Sequence, residues 1–167
     1  SHAEMVAEAL VGIEKILLKH KPTIVLVQGD TNSALAGALA AAKLGIKVGP
    51  IEAGLRSFDR RMPEELNRVL IDHMSDLLFA PTHIASNFLL SEGIDKDKIK
   101  VVGNTIADAL KYGLKKSINT PLPLSLTPKQ YYLATLHRQE NVDDPIILKQ
   151  IRTNFKSITK DFSTTLV

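Results

Sequence analysis

The run Thr23-Ile24-Val25-Leu26-Val27 decides the predicted fold of this chain. It is short, β-branched and apolar on both faces, which is typical of a strand buried in a parallel sheet. Gly29 ends the run, an alanine-rich helix is predicted over residues 32–43, and a second strand is predicted over residues 46–51. These segments together predict one βαβ unit.

The same alternation extends on both sides of this unit. Upstream, Ser1 and Glu4 form a capping-box pattern, which predicts an amphipathic helix at the start of the chain. Downstream, the apolar periodicity predicts helix 63–74, strand 77–80, helix 82–91, strand 99–102 and helix 105–116. Strict alternation of helices and strands predicts an α/β fold with a doubly wound parallel sheet.

Residues 117–130 separate this sheet from the last part of the chain. The segment contains Pro121, Pro123 and Pro128 and has no helical period, so we predict an extended linker. We therefore expect a first domain over residues 1–116 and the start of a second domain over residues 131–167.

The second domain is predicted from three short segments. Residues 131–135 are expected to form a strand, Asp144-Pro145 to open a helix that ends near residue 160, and residues 164–167 to begin another strand. The first domain opens on a helix where doubly wound folds usually open on a strand. Both ends of the chain therefore lead us to expect a fragment.

The composition limits the classes of function. The 44% apolar and 23% charged content is ordinary for a globular domain, and the run length of a membrane span and the pattern of a signal peptide are absent, so we expect a cytoplasmic protein. Zero cysteines exclude disulfides and thiolate metal sites. The net charge of +3 is scattered and aromatic residues are few, so neither nucleic acid nor membrane is an expected partner. Metal-ligand spacings and glycine-rich nucleotide loops are also missing, so no metal and no cofactor are expected.

Ligands bind beyond the carboxyl ends of the strands in an open parallel sheet, so the residues after each strand are candidates for a site. Asp30 and Thr31 follow the first strand, and the spacing is compatible with both helix capping and catalysis. Glu52 follows the second strand, where a carboxylate costs desolvation unless it is paired, so we favour a functional role. Asn104 follows a later strand and is expected to cap the next helix.

Charged residues also cluster in Pro63-Glu64-Glu65-Leu66-Asn67-Arg68. The helix dipole favours acids in a first turn, and Glu64 with Arg68 forms an i,i+4 pair. These structural roles account for one glutamate but not for both. Arg56 lies just past a glycine turn and is equally compatible with phosphate binding and with a bridge to Glu64.

The post-strand turn of the second domain is His137-Arg138-Gln139-Glu140-Asn141. His137 is a site candidate because it lies in a turn beside Arg, Glu and Asn. Arg138 offers a planar fork for phosphate or carboxylate, and Glu140 is expected to orient these two side chains.

Five motifs together carry a resemblance to a known family. In chain order they are Gln28-Gly29-Asp30-Thr31, Glu52-Ala53-Gly54-Leu55-Arg56-Ser57, Pro63-Glu64-Glu65-Leu66-Asn67-Arg68, Gly103-Asn104-Thr105-Ile106-Ala107-Asp108 and His137-Arg138-Gln139-Glu140-Asn141. The combination closely resembles non-hydrolysing UDP-N-acetylglucosamine 2-epimerases. The resemblance implies a GT-B architecture of two Rossmann-like domains, with the UDP-sugar in the cleft between them and no cofactor.

The resemblance also implies a reaction, the interconversion of UDP-N-acetylglucosamine and UDP-N-acetylmannosamine for cell-surface polysaccharide precursors. In the family, UDP leaves as C2 loses its proton, a 2-acetamidoglucal intermediate forms, and UDP adds back. The catalytic positions that carry over are Asp30, Glu52, Glu64 and His137. The three carboxylates are assigned to acid/base work at the sugar, and His137 is assigned to the diphosphate side.

Substrate-binding positions are expected at Thr31, Arg56, Asn104, Arg138 and Glu140. Arg138 matches an arginine that, in bacterial members, helps to hold a second, activating UDP-N-acetylglucosamine. Family members are usually homodimers.

The chain departs from the family pattern in three places. Pro50 replaces a usual His and lacks an N–H, so the second strand is expected to kink or end early there. Residues 57–62 are shorter than in common bacterial members and have a form seen in relatives that act on other UDP-sugars, including diacetamido-uronic acids. The family's N-terminal Gly-x-Arg-Pro-Glu phosphate loop is missing, so we expect a central fragment that is inactive alone.

The sequence leaves three alternatives open. A GT-B glycosyltransferase would transfer the sugar to an acceptor without inverting C2. A hydrolysing epimerase would release free N-acetylmannosamine and UDP. A non-catalytic UDP-sugar-binding module would keep its role without the carboxylates of Glu52 and Glu64.

Overall fold

The structure is a computed structural model that describes residues 1–121, 126–127 and 129–167. Pro123 and Pro128, on which the linker prediction partly rests, lie outside the described residues. The chain divides into two compact units, Ser1–Leu114 and Lys115–Val167.

The first unit alternates helices and strands as the sequence predicts. The helices are α1 (His2–His20), α2 (Asn32–Lys43), α3 (Pro63–His73), α4 (His83–Ser91) and α5 (Thr105–Ser117), the last of which extends past the unit boundary. The strands are β1 (Ile24–Gln28), β2 (Lys47–Ile51), β3 (Leu78–Ala80) and β4 (Ile99–Val101), and a 3₁₀ turn, Lys96–Lys98, precedes β4.

Local signals in the sequence explain where these helices begin. The Ser1 hydroxyl accepts a hydrogen bond from the Glu4 N–H at 3.2 Å, and the full capping box is present. The Thr31 and Thr82 hydroxyls cap α2 and α4 by accepting from the N–H groups of Ala34 and Ala85. Pro63 occupies the first turn of α3.

All four strands pair in parallel in the order β1-β2-β3-β4. The register places Gln28 opposite Ile51 and Ile51 opposite Phe79, so the carboxyl ends of three strands are side by side. The predicted α/β class with a parallel sheet is confirmed. Each strand lies next to its successor, so the described sheet grows in one direction.

The two faces of β1 differ in this chain, since Val27 packs with α1 and α2 whereas Leu26, on the opposite face, is 55% exposed. One expectation about the strands is wrong. β2 does not end early at Pro50, which stays paired with Val27 while the strand continues to Ile51.

Two apolar clusters hold the first unit together. One joins α1, α2, α3 and the first two strands through Leu17, Val27, Ala34, Ala38, Ala40, Ala41, Val48 and Ile71. The other joins β3, β4 and α4 to the turn after β2 through Ala53, Leu78, Ala80, Ala85, Leu89 and Ile99. The turn that carries Glu52 is therefore anchored in the second cluster.

The second unit contains β5 (Tyr131–Tyr132), α6 (Gln139–Val142), α7 (Pro145–Asp161) and β6 (Thr165–Leu166). β5 and β6 pair in parallel, and the Asp144 carboxylate caps α7 by accepting from the Ile146 N–H at 2.8 Å. The two predicted strands and the long helix between them are confirmed, whereas the short helix α6 was not predicted. No helix in the described part of the chain combines the length and the apolar character that crossing a membrane requires.

Candidate active site

The turn after β2 places Glu52 at the carboxyl edge of the sheet. Glu52 has a left-handed backbone, with φ of 71°, and the next N–H, from Ala53, donates to the Phe79 carbonyl at 3.1 Å. Gly54 follows with φ of 79°, and a Cβ built on it would lie 2.3 Å from the Ala85 carbonyl oxygen of α4. Only glycine fits this close approach, so the sheet edge and α4 together fix the turn.

Arg56 is locked into this turn by a cluster of buried charges. Its NH1 donates to Asp72 Oδ2 at 2.7 Å, and its Nε and NH2 donate to the two carboxylate oxygens of Glu92, both at 2.7 Å. The Gly54 N–H also donates to Asp72 Oδ2, at 3.0 Å. We call Arg56, Asp72 and Glu92 the buried cluster.

The buried cluster changes the role expected for Arg56. Its side chain is only 1% exposed, and its carboxylate partners are Asp72 and Glu92 rather than Glu64. The guanidinium thus holds the turn, and the predicted bridge to Glu64 is wrong. The substrate contact expected of Arg56 stays a prediction.

Two members of the buried cluster, Asp72 and Arg56, have shifted pKa values. Burial raises the pKa of Asp72 above its ordinary value, against the opposing effects of the Arg56 guanidinium and the Gly54 N–H. Burial by itself lowers the pKa of Arg56, but the hydrogen bonds to Glu92 and Asp72 outweigh it and raise that pKa. Arg56 therefore stays charged.

The two adjacent glutamates of α3 have different environments. Glu64 is exposed, whereas Glu65 is 3% exposed and its carboxylate accepts from the N–H groups of Ser57 and Phe58 at 2.9 and 3.0 Å. Burial by itself raises the pKa of Glu65, but these N–H donors, the Ser57 hydroxyl and the Arg68 charge outweigh it and hold the pKa below its ordinary value. Glu65 therefore takes the structural role, which leaves Glu64 available for chemistry.

Arg68 bridges Glu65 to Asp30. Its NH1 donates to Glu65 Oε2 at 2.9 Å, which replaces the expected i,i+4 pair with Glu64, and its NH2 donates to Asp30 Oδ2. We call Asp30, Glu65 and Arg68 the crevice cluster. Asn67 fixes the backbone beside it by donating to the Asp30 carbonyl at 2.8 Å.

A small cavity at the sheet edge brings the first two predicted acids together. Asp30, Glu52 and Arg68 all line it. The Glu52 carboxylate lies beside Gly29, since a Cβ built there would be 3.9 Å from Glu52 Oε2. Two carboxylates and a guanidinium thus converge where β1 and β2 end, which is an arrangement suited to acid/base chemistry on an anionic ligand.

The remaining predicted residues of the first unit have capping roles. Thr31 Oγ1 accepts from the Ala34 N–H at 3.2 Å, and Asn104 Oδ1 accepts from the Ile106 N–H at 3.0 Å. These bonds confirm the expected caps and do not test the substrate contacts assigned to the same residues.

The second unit carries the other predicted site residues. His137 and Arg138 are exposed in the segment between β5 and α6, and the Arg138 carbonyl accepts from the N–H groups of Asn141 and Val142 at 2.9 and 3.1 Å. Glu140 belongs to α6. Among the described residues, no group of three or more His, Asp or Glu side chains could hold a metal ion.

Comparisons with known proteins identify the family of this chain. A family profile described as UDP-N-acetylglucosamine 2-epimerase matches residues 1–167. The chain belongs to the UDP-N-acetylglucosamine 2-epimerase family. A relative from Methanococcus maripaludis named UDP-N-acetylglucosamine 2-epimerase is 52% identical over 172 residues, which cover 100% of this chain and 47% of the relative.

A solved structure and a second relative are also similar to this epimerase-family chain. A crystal structure of Methanocaldococcus jannaschii UDP-GlcNAc 2-epimerase in complex with UDP-GlcNAc and UDP matches with a TM-score of 0.89 and 49% identity, covering 99% of this chain and 47% of that one. A Pseudomonas aeruginosa relative named UDP-2,3-diacetamido-2,3-dideoxy-D-glucuronate 2-epimerase is 47% identical over 154 residues, which cover 90% of this chain and 43% of the relative. The chain thus spans less than half the length of these epimerases.

Sequence reasoning missed Asp72 and Glu92 altogether, and within the motif that it singled out it missed the pairing of Glu65 with Arg68. Glu65, Arg68 and Asp72 follow one another at i, i+3 and i+7 on α3, so they share a helix face. That spacing was a signal for Asp72. Glu92 ends α4, and nothing in the sequence links it to Arg56, 36 residues earlier.

Proposed function

We propose that this chain carries acid/base groups of a UDP-N-acetylglucosamine 2-epimerase, which inverts C2 by eliminating UDP and adding it back through 2-acetamidoglucal. The observation that carries the proposal is the convergence of Asp30 and Glu52, from the ends of two adjacent parallel strands, on one cavity beside Arg68. Family membership supports epimerisation over the glycosyl transfer that the sequence left open.

The chemistry of the substrate explains why several carboxylates are needed. The proton on C2 of the sugar has no adjacent carbonyl to acidify it, so its removal must accompany departure of the diphosphate. One carboxylate accepts the proton from one face, and another donates a proton to the opposite face of the intermediate. Asp30, Glu52 and the exposed Glu64 are assigned to these transfers, and His137 of the second unit is assigned to the diphosphate.

The test is proton NMR of the complete gene product with UDP-N-acetylglucosamine in heavy water. We expect deuterium at C2 of the sugar and accumulation of the manno epimer. Asp30→Asn, Glu52→Gln and Glu64→Gln should each lower the exchange rate by about 10²- to 10⁴-fold, the usual effect of losing a general acid or base.

The matched control is Glu14→Gln, which removes an exposed carboxylate on α1 and should leave the exchange rate unchanged. Transfer of the sugar to an acceptor with no deuterium at C2 would refute the epimerase proposal. Exchange that survives in all three site variants would refute the assignment of the residues.

A second substrate has specific support. The similarity to the Pseudomonas aeruginosa diacetamido-glucuronate epimerase and the form of residues 57–62 favour a diacetamido-uronic acid as an alternative sugar. The same NMR experiment with both UDP-sugars distinguishes the two. The true substrate should exchange its C2 proton with the higher kcat/KM.

The proposal includes two properties of the assembled enzyme. A second UDP-N-acetylglucosamine, held in part by Arg138, would activate it, so the rate should rise sigmoidally with substrate and become hyperbolic in Arg138→Ala. The complete gene product should sediment as a homodimer. A hyperbolic wild-type curve or a monomeric sedimentation coefficient would refute the corresponding property.

A further inference from the structure

We propose that Arg68 is a positioning residue for Asp30, and that Glu65 controls how much of the Arg68 charge Asp30 receives. This inference rests on the proposed function, because it takes Asp30 as one of the acid/base groups. It adds Arg68 and Glu65 to the residues that act in the reaction, through Asp30 rather than by touching the sugar.

The geometry is that of one guanidinium divided between two carboxylates. The Arg68 NH1 group donates to Glu65 Oε2 at 2.9 Å and the NH2 group donates to Asp30 Oδ2. The side chains of Glu65, Arg68 and Asp30 are 4%, 18% and 32% exposed. The cluster is therefore closed at Glu65 and open at Asp30, on the side that lines the cavity.

Asp30 is held at both its backbone and its carboxylate. Asn67 donates to the Asp30 carbonyl at 2.8 Å and to Asn32 Oδ1 at 3.1 Å, which fixes the backbone between β1 and α2. Arg68, one position further along α3, then orients the carboxylate. Consecutive residues of one helix thus control both parts of Asp30.

The other charges around Asp30 come from two elements. Glu52, after β2, lines the same cavity and adds negative charge. Asp72, from α3, also lines the cavity, but its carboxylate is paired with Arg56. Arg68 is therefore the cation of this cavity lining, and Glu65 competes with Asp30 for it.

This competition predicts opposite effects for two variants. A nearby cation favours the ionised form of a carboxylate, whereas loss of a competing anion leaves more of that cation for Asp30. Arg68→Gln should move the acidic limb of the pH dependence of kcat/KM to higher pH, because the charge paired with Asp30 is lost. Glu65→Gln should move the same limb to lower pH.

The experiment measures epimerisation of UDP-N-acetylglucosamine by the complete gene product across pH, for the wild type, both variants and Arg68→Lys. Lysine keeps the charge but lacks the planar fork that contacts two carboxylates at once. Arg68→Lys should therefore keep the acidic limb near its wild-type position while kcat falls. A lower kcat with an unchanged acidic limb of kcat/KM is not expected of a residue that only supports the fold.

Glu92→Gln is the matched control, because it removes one carboxylate from an arginine pair that does not contact Asp30. It should lower the melting temperature and leave the acidic limb in place. If Arg68→Gln does not fold, Glu65→Gln and Arg68→Lys decide the question through the same limb.

The inference would be overturned if the acidic limbs of Arg68→Gln and Glu65→Gln moved in the same direction. It would also be overturned if the acidic limb of Glu65→Gln stayed at its wild-type position. If the wild type epimerises and Asp30→Asn does not, such a result removes the inference alone. A wild type with no exchange at C2 removes the proposed function and this inference with it.

Discussion

The buried cluster and the crevice cluster have the same chemical parts but different accessibility. Each consists of one arginine between an aspartate and a glutamate, and α3 contributes to both. In the buried cluster Arg56 and Asp72 are 1% and 2% exposed and Glu92 is 25% exposed. In the crevice cluster Glu65 is 4% exposed, whereas Arg68 and Asp30 are 18% and 32% exposed. Residue type alone therefore does not separate the two clusters, which differ in whether the arginine and the aspartate are buried.

Depth also separates what the two clusters do. Burial removes water from Arg56 and Asp72, so each depends on its partner for compensation, and the result is a rigid turn that presents Glu52. Asp30 keeps access to solvent and to a ligand, while Arg68 restricts its orientation. The first cluster holds the turn, and the second leaves the carboxylate of Asp30 accessible in the cavity.

The largest effect is expected for Arg56→Met, which breaks the buried cluster. Removing one partner leaves the buried carboxylate of Asp72 uncompensated, and the free energy of unfolding should fall by about 3 to 5 kcal/mol. Chemical denaturation of the 167-residue chain measures this change.

The control for Arg56→Met is Arg61→Met. Arg61 pairs with Asp59 at 2.8 Å but its side chain is 91% exposed, so its loss should hardly change the denaturation midpoint. Equal losses in the two variants would show that depth is not what distinguishes the clusters.

Gly54→Ala should have the next largest effect, because it disturbs the turn on which the buried cluster is built. The added methyl would meet the Ala85 carbonyl at 2.3 Å on a backbone with φ of 79°. Overpacking and left-handed strain together should lower the free energy of unfolding by about 2 to 4 kcal/mol.

Gly12→Ala is the matched control for Gly54→Ala. Gly12 lies within α1, and a Cβ built on it meets nothing within 4 Å. Alanine there should raise the free energy of unfolding by about 0.5 to 1 kcal/mol, because glycine is the poorer helix former. A Gly54→Ala chain as stable as the wild type would contradict the fixed turn.

The smallest effect is expected for Glu65→Gln, and it should depend on pH. The folded-state pKa of Glu65 lies below its ordinary value of 4.5, so its carboxylate stabilises the fold above about pH 4.5, and this stabilisation is lost as pH falls through the folded-state pKa. The melting temperatures of the wild type and Glu65→Gln should therefore differ most near neutral pH and converge in acid.

Glu64→Gln is the control for the pH dependence of Glu65→Gln, because the neighbouring Glu64 is exposed. Its melting temperature at neutral pH should match that of the wild type. If the difference in melting temperature between the wild type and Glu65→Gln widened in acid, the lowered pKa of Glu65 would be contradicted. Its ion pairing with Arg68 in the crevice cluster would then be contradicted as well.

Much of the fold follows from local signals in the sequence. The order of helices and strands, the caps at Ser1, Thr31 and Thr82, and the start of α3 at Pro63 all depend on residues within one turn of each other. The position of Asp30 and Glu52 after successive parallel strands follows from the same pattern, because such strands end at one edge.

Other features depend on contacts between residues far apart in the chain. The sequence was equally compatible with phosphate binding by Arg56 and with a bridge to Glu64, but its carboxylate partners come from α3 and from the residue after α4, 16 and 36 residues away. The pairing of Arg68 with Asp30 spans 38 residues and redirects a side chain that the helical spacing had assigned to Glu64.

The sequence by itself thus determined the α/β class, the helix starts and the edge of the sheet at which Asp30 and Glu52 lie. Only the tertiary structure decided which charged residues are buried supports and which are accessible. The physical reason is that helix and strand patterns are local, whereas the burial of a charge depends on which distant partner compensates its loss of water.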